Sequence, residues 1–221
     1  MSKIETPELQ SDSTEVRHFY IEKATPRRAP VYCFLKKIAD IFCSFVLMIL
    51  LLPVCFIIAI LIKIDSPGPV IYKQERLGKN GKQFFILKFR TMDVSAEKDG
   101  PQWAQSNDPR CTKMGRFLRK TRLDEIPQLW NILKGEMSFI GPRPERPYFY
   151  EEFETYIHGF SNRLDVVPGL TGLAQVMGGY DLRPEEKVLY DMEYIKNRCI
   201  SLDIKIILKT ILLVFTHEGA R

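Results

Sequence analysis

From Ile41 to Ile62 the chain carries no charged residue. The run 38–62, IADIFCSFVLMILLLPVCFIIAILI, is mostly apolar throughout. As a helix rising 1.5 Å per residue it reaches across a hydrocarbon core of about 30 Å. The pattern predicts a membrane-bound protein. Pro53 falls in mid-run, where it removes a backbone donor and crowds the preceding turn, so a kink or break is expected there. Lys36 and Lys37 flank one end and Lys63 the other, and Lys73, Arg76, Lys79, Lys82, Lys88 and Arg90 follow. Basic flanks prefer the cytoplasmic side. Two arrangements fit: a kinked helix that enters and leaves by one face, or a straight span with a small outside tail.

The polar stretches divide the rest. Residues 1–30 show no apolar period and read as a flexible tail, with no signal-peptide pattern near Met1. The composition of 65–69, DSPGP, forces a turn. Val70–Tyr72 and Phe84–Leu87 read as strands joined at Lys79–Gly81, a β-hairpin over 70–90. Residues 93–112 read as a loop carrying Arg110. In 113–123, KMGRFLRKTRL, Arg116 and Arg119 share a helix face. Apolar positions 126, 129, 130 and 133 then follow a helical period. Pro127 fits only a first turn, which sets the helix start near Asp124, and Gly135 ends it. Residues 135–147 form a rigid turn in which Pro142 and Pro144 bracket Arg143. The pattern of 148–166 is helical, 168–181 is a Gly-rich loop without a P-loop ending, and 184–197 opens like a helix at Pro184. Leu202–Phe215 is apolar with Lys205 and Lys209 on one face, and fits an interfacial or a buried helix.

Composition narrows the partners. The 221 residues hold 32 Lys plus Arg against 27 Asp plus Glu, a formal charge of +5. Nucleic acid, anionic lipid and phosphorylated small molecules all suit that balance. Five widely spaced Cys and three distant His give neither a disulfide framework nor a metal knuckle.

Candidate chemistry concentrates in Arg119–Pro144. Asp124 and Glu125 stand at the expected helix start, where capping alone explains them. The same geometry keeps a carboxylate ionised as a nucleophile and leaves N–H groups for phosphate oxygens. Arg119 and the rigidly mounted Arg143 offset repulsion between an anionic nucleophile and a phosphoryl group, and arginine forks onto phosphate. Arg116, Arg110 and Arg90 are further candidate substrate contacts. Asp124 and Glu125 are the candidate metal ligands.

The stretches IKIDSPGPVIYKQERLG, KFRTM, DPRCTKMGRFLRKTRLDEIPQLWNILKGEMSFIGPRPE, VVPGLTGLAQV and LDIKIILKT are similar to those of the bacterial sugar transferase family, the monotopic phosphoglycosyl transferases. The resemblance covers about residues 31–221. It implies transfer of a sugar-1-phosphate from a UDP-sugar to polyprenyl phosphate, usually undecaprenyl phosphate, with release of UMP, a need for Mg²⁺, and a role in priming polysaccharide or glycan assembly. It assigns Asp124 as the nucleophile that forms a covalent phosphosugar, Glu125 to proton or metal handling and Arg119 to phosphate binding, and it matches Arg143 to the arginine of the family's Pro-Arg-Pro motif. Where many members carry a Gly-Arg element after VVPGLTGLAQV, this chain has Met177–Tyr180.

The expected fold class is therefore α+β, mainly helical. A flexible tail (1–30) precedes a membrane helix region (31–64), which the resemblance implies is re-entrant and broken near Pro53 with both ends cytoplasmic. A small cytoplasmic catalytic domain (65–221) ends in an interfacial amphipathic helix. The expected place is the bacterial inner membrane, with lipid and a second copy as compatible partners and nucleic acid not among them. The competing class is a membrane-anchored basic structural or regulatory protein that binds anionic lipid without catalysis.

Overall fold

In chain order the computed structural model contains β1 (Phe19–Tyr20), α1 (Pro30–Asp65), β2 (Ile71–Leu77), β3 (Gln83–Phe89), α2 (Lys113–Thr121), α3 (Leu129–Leu133), β4 (Ser138–Ile140), α4 (Pro147–Glu154), β5 (Ile157–His158), β6 (Gly169–Thr171), α5 (Leu173–Met177), α6 (Pro184–Asn197) and α7 (Ile200–Thr216). It describes residues 17–26, 29–98, 100 and 108–216. Most of the expected tail, and residues 99 and 101–107 of the expected loop, lie outside them. The strands form three two-stranded sheets: β1–β5 parallel, β2–β3 antiparallel and β4–β6 parallel. The fold is α+β and mainly helical.

Pro30 starts α1 from a position where its missing N–H costs nothing. The helix then runs 36 residues through Pro53 without interruption, about 54 Å at 1.5 Å per residue. It is long and apolar enough to cross a membrane. Its contacts follow one stripe. Tyr32 and Lys36 bond Asp203, and Asp40 accepts from the Phe139 N–H. Met48 and Leu51 pack against Phe84, Ile86, Leu129, Ile132 and Met137. Val54, Cys55, Ile58 and Ile62 meet Phe89 and Leu118, and Asp65 accepts from the Met114 N–H. Steps of three or four residues keep these positions on one helical face. That face rests on the globular part from end to end. The opposite face is apolar and exposed, with Phe42 at 65% and Phe56 at 68%. In α7, Asp203 and Ile206 point inward while Ile204, Leu208, Ile211, Leu212 and Phe215 are exposed. A buried helix is thereby excluded for this segment.

The hairpin is longer than its apolar residues alone suggested. β2 and β3 pair from Ile71↔Phe89 to Leu77↔Gln83, with the turn at Lys79–Gly81 as expected. The main core joins α4, α6 and α7 through Phe149, Phe153, Ile157, Phe160, Val188, Ile195 and Ile206.

Four expectations need correction. The break expected near Pro53 is not seen, because α1 is one helix through it. The Gly-rich loop expected over 168–181 holds β6, which pairs with β4, and α5. Residues 17–26 are not a loose tail. Phe19 and Tyr20 pair with Ile157 and His158, Phe19 and Ile21 pack on the main core, and His18 stacks on His158. The short apolar pair Phe19 and Ile21 was too brief to give a period. The helix expected over 148–166 ends at Glu154. There the Glu154 carboxylate takes the N–H groups of Gly159 and Ser161, and Gly159 turns the chain at φ 95. This side-chain to backbone competition is what ends helices at polar residues.

Candidate active site

α2 ends at Arg122, which adopts a left-handed conformation with φ 57. Such a backbone is uncommon outside glycine and is costly, so packing around it must enforce it. The chain then tightens into a 3₁₀ segment, Leu123–Gln128, before α3. The single α-helix expected from 124 to 135 is therefore two pieces, although Gly135 does end it with φ 75. The tight segment packs against β3 and α2. It carries Asp124, 8% exposed, and the mostly enclosed Glu125.

β3 supplies a partner, Lys88, that the sequence pattern placed only among the basic flanks of the apolar run. Phe84, Ile86 and Lys88 alternate along one face of the strand, and the first two are buried. Period-two alternation was the available signal that Lys88 points inward. Its Nζ donates to Glu125 Oε1 at 3.0 Å. Arg143 Nη2 donates to the same oxygen. Burial alone would raise the Glu125 carboxyl, but the Arg143 and Lys88 charges and their hydrogen bonds outweigh it and hold the group well below the usual carboxylate range. Asp124 goes the other way. Burial and the Glu125 charge push it up to about 6, against the pull of Lys88, Arg119 and Arg143. A short 3₁₀ segment gives little dipole, so enclosure beside a second carboxylate governs Asp124 more than a helix start does; with its carboxyl at about 6 the group is still largely ionised at neutral pH.

Arg143 stands on a fixed mount. Its turn joins β4 to the following segment, and β6 clasps it from the side. The Gly141 N–H donates to Thr171 O at 2.9 Å and the Gly169 N–H to Pro142 O at 2.9 Å. A Cβ on Gly169 would lie 2.1 Å from the Gly141 nitrogen, so glycine is required where the two chains touch. Arg76 Nη1 donates to Pro144 O at 2.9 Å and to Glu145 at 2.8 Å.

The remaining arginines divide. Arg119 donates through Nε to Thr91 Oγ1 at 3.0 Å, and its charge reaches Asp124. Arg116 donates to Cys111 O at 3.2 Å. Arg110 pairs with Asp108 at 2.6 Å and reaches Ala96 O at 3.3 Å. Arg90 is 5% exposed and donates to Pro67 O, Ser66 O and Ser66 Oγ at 2.6, 2.7 and 2.9 Å. In this structure it ties β3 to the turn that leaves α1. The structure thus brings Lys88, Arg119 and Arg143 to the carboxylate pair, while the hydrogen bonds of Arg116, Arg110 and Arg90 lie with other partners.

This is a compact arrangement for chemistry on an anion. One carboxylate is locked by two cations. Its neighbour accepts no side-chain hydrogen bond from the described residues.

A model of the family described as bacterial sugar transferase matches residues 31–217. The UDP-N-acetylgalactosamine-undecaprenyl-phosphate N-acetylgalactosaminephosphotransferase of Aeromonas hydrophila is 43% identical over 196 residues, 87% of this chain and 46% of that protein. A putative undecaprenyl-phosphate N-acetylgalactosaminyl 1-phosphate transferase of Bacillus subtilis (strain 168) is 47% identical over 150 residues, 68% of this chain and 82% of that protein. The UDP-glucose:undecaprenyl-phosphate glucose-1-phosphate transferase of Klebsiella pneumoniae is 41% identical over 190 residues, 84% of this chain and 41% of that protein. The chain spans less than half the length of the first and third of these relatives.

Proposed function

The chain belongs to the bacterial sugar transferase family, and from that membership we propose that it moves a sugar-1-phosphate from a UDP-sugar to undecaprenyl phosphate at a membrane surface. The names of its relatives support the reaction class. The observation that carries the reading is the split between the two carboxylates. Glu125 is held ionised by Lys88 and Arg143, and Asp124 is left unengaged beside it.

Asp124 is the nucleophile. An oxygen of its carboxylate attacks the phosphorus that bears the sugar, forming an acyl-phosphate bond. The bond from that phosphorus to the bridging oxygen breaks, and UMP leaves with the electron pair. An oxygen of undecaprenyl phosphate then attacks the same phosphorus, and the Asp124 carboxylate departs. The product is the lipid diphosphate-sugar. Division into two displacements lets two anionic substrates use one site in turn. Arg143, mounted on its clasped turn, and Lys88 offset the negative potential that the carboxylates present to an incoming phosphate. Arg119, steadied by Thr91, adds a third positive charge.

A divalent cation fits the donor set. Asp124 and the second oxygen of Glu125 are hard oxygen donors, and no group of three or more potential metal-holding side chains occurs among the described residues. Two carboxylates completed by water and substrate phosphate are a Mg²⁺ environment. Bound there, the ion would reduce the charge of the diphosphate.

The domain meets the membrane from one side. A straight span would carry one end of α1 away from the globular part, yet both ends are bonded to it, Lys36 to Asp203 and Asp65 to the Met114 N–H. This supports a re-entrant helix whose flanks stay cytoplasmic, at the inner membrane. The exposed apolar face of α7 lies in the interface.

The test incubates membranes containing the protein with labelled UDP-N-acetylgalactosamine, UDP-glucose or UDP-galactose, Mg²⁺ and undecaprenyl phosphate. UMP release with a lipid-linked sugar is expected, together with a phosphosugar adduct on Asp124 when the lipid is withheld. No turnover with any donor would overturn the reading. Cysteine labelling of both flanks of α1 from the cytoplasmic side of sealed vesicles tests the topology, and opposite-side labelling would mean a true span.

A further inference from the structure

The turn that carries Arg143 presents three successive carbonyls, and each has a donor. Gly169 N–H holds Pro142 O and Arg76 holds Pro144 O, as described above. The carbonyl of Arg143 itself accepts from Arg163 Nη2 at 3.0 Å. Arg163 lies in the 3₁₀ segment Phe160–Asp165, and its guanidinium sits 4.8 Å from the centre of the Phe160 ring. Its counter-charge is Asp191 of α6, with Nη2 and Oδ2 2.6 Å apart and side chains only 2% and 1% exposed. Neither residue has a part in the proposed chemistry.

A pair this deep is an expensive way to stabilise a fold. Both charges lose their water, their mutual attraction restores only part of the loss, and apolar residues of similar shape often serve as well or better. What the pair supplies is a donor with fixed direction. A guanidinium held at Nη2 by the charge of a buried carboxylate and covered on one face by an aromatic ring loses much of its freedom, although its Nε has no hydrogen-bond partner among the described residues. The Arg143 carbonyl is attached to the same Cα as the side chain that meets Glu125, so fixing one constrains the other.

We infer that Asp191 and Arg163 form a positioning unit for Arg143: Asp191 orients Arg163, Arg163 anchors the Arg143 carbonyl, and the Arg143 side chain is thereby aimed at Glu125 and the phosphate. The functional half of this inference rests on the reading of Arg143 as a phosphate contact. The structural half does not.

The test removes both charges together in Arg163→Met/Asp191→Leu. Hydrogen exchange is followed at the amides of Gly141 and Gly169, which donate across the turn to Thr171 O and Pro142 O. These are expected to exchange about 10-fold faster or more while the melting temperature holds or rises. Unchanged exchange at the turn would overturn the inference whatever the activity. Turnover is then read in a double-mutant cycle. Arg163→Met is expected to lower kcat roughly 10- to 100-fold in the otherwise unaltered protein, and by no more than about two-fold when Arg143 is already alanine. Losses that simply multiply would mean that Arg163 acts elsewhere, and would also overturn it. Arg163→Lys keeps a charge and a donor. It is expected to recover part of both the exchange protection and kcat, and it carries the same cycle should the double variant fail to fold. If Arg143→Ala alone leaves turnover intact, the phosphate role of Arg143 fails, while the exchange result still decides whether the pair holds the turn.

Discussion

Two carboxylate centres in this molecule are built from similar parts and behave differently. Asp203, at the junction of α1 and α7, accepts from the Tyr32 hydroxyl at 2.8 Å, Lys36 Nζ at 3.1 Å and the Tyr194 hydroxyl at 3.0 Å. One charge meets one cation and two neutral donors, on both of its oxygens. At the other centre, Lys88 and Arg143 converge on one oxygen of Glu125. Asp124 stands beside it with its proton affinity raised. The first centre is satisfied and staples the membrane helix to the domain. The second is satisfied at one member and strained at the other. Buried ion networks are common as architecture; a buried carboxylate left beside its own kind marks chemistry.

Removing the strained member breaks the comparison most sharply. Asp124→Asn is expected to lower turnover by roughly 10³-fold or more, as loss of a covalent nucleophile does, while making the protein more stable at neutral pH. The folded Asp124 titrates at about 6 against an ordinary 3.8. A raised acid binds its proton more readily when folded, so its contribution is fully present below pH 4 and is lost as pH rises through 6. At pH 7.5 the ionised group therefore costs something of the order of 2 kcal/mol, which the amide does not incur. Melting temperatures in detergent, measured from pH 4.5 to 7.5, should converge at the acid end and separate at the neutral end. A variant less stable than its parent at pH 7.5 would mean that Asp124 is satisfied after all.

The same exchange at the other centre should have the opposite sign. Asp203→Asn leaves Lys36 without its counter-charge in a part-buried site, and Asp203→Ala also removes the acceptor of the Tyr32 hydroxyl, while the Tyr194 hydroxyl keeps Ile140 O. The loss for the alanine variant is about 3 kcal/mol, seen as a lower melting temperature at every pH. Stability gained at Asp203 on loss of charge would erase the distinction between the two centres.

How much of this contrast was legible in the sequence follows from the range of the interactions. The apolar run, the hairpin turn, Asp124, Glu125 and the proline-bracketed Arg143 all announce themselves within a few residues. Lys88 does not, because its meaning depends on Glu125, 37 positions away. Its alternation with Phe84 and Ile86 was visible, but a basic hairpin next to a membrane helix has an ordinary solvated explanation. Asp203 and its partners span 171 positions, and nothing local ties them together. The resemblance singled out Asp124 and Glu125. It was the enclosure of the 3₁₀ segment, set by β3 and the left-handed Arg122, that decided which of them is locked and which is strained.

Lys88→Met sharpens the contrast inside the dyad. It withdraws one of the two cations that hold Glu125 low, and also one of those that restrain Asp124. Both groups then titrate higher. The acid limb of kcat/KM, expected near pH 6 for the pair as a unit, should move to higher pH, with a loss of roughly 10-fold at pH 7. A limb that stays in place while the plateau falls would mean that Lys88 touches substrate without tuning the carboxylates.

The smallest expected effect probes the outer edge of the site. Arg119 donates through Nε to Thr91 Oγ1, just past the end of β3. Gly115 of α2 lies so close to this strand end that a Cβ would sit 1.9 Å from Thr91 O. Thr91 therefore cannot shift to follow Arg119; the side-chain bond alone fixes the guanidinium. Thr91→Val keeps the shape and removes the acceptor, which costs about 1 kcal/mol, or roughly five-fold in kcat/KM. Arg119 keeps its charge and stays near Asp124, so the loss should appear mainly in KM for the UDP-sugar, and the position of the acid limb should not change. A shift in that limb would show that the Thr91 bond sets how strongly the Arg119 charge acts on Asp124.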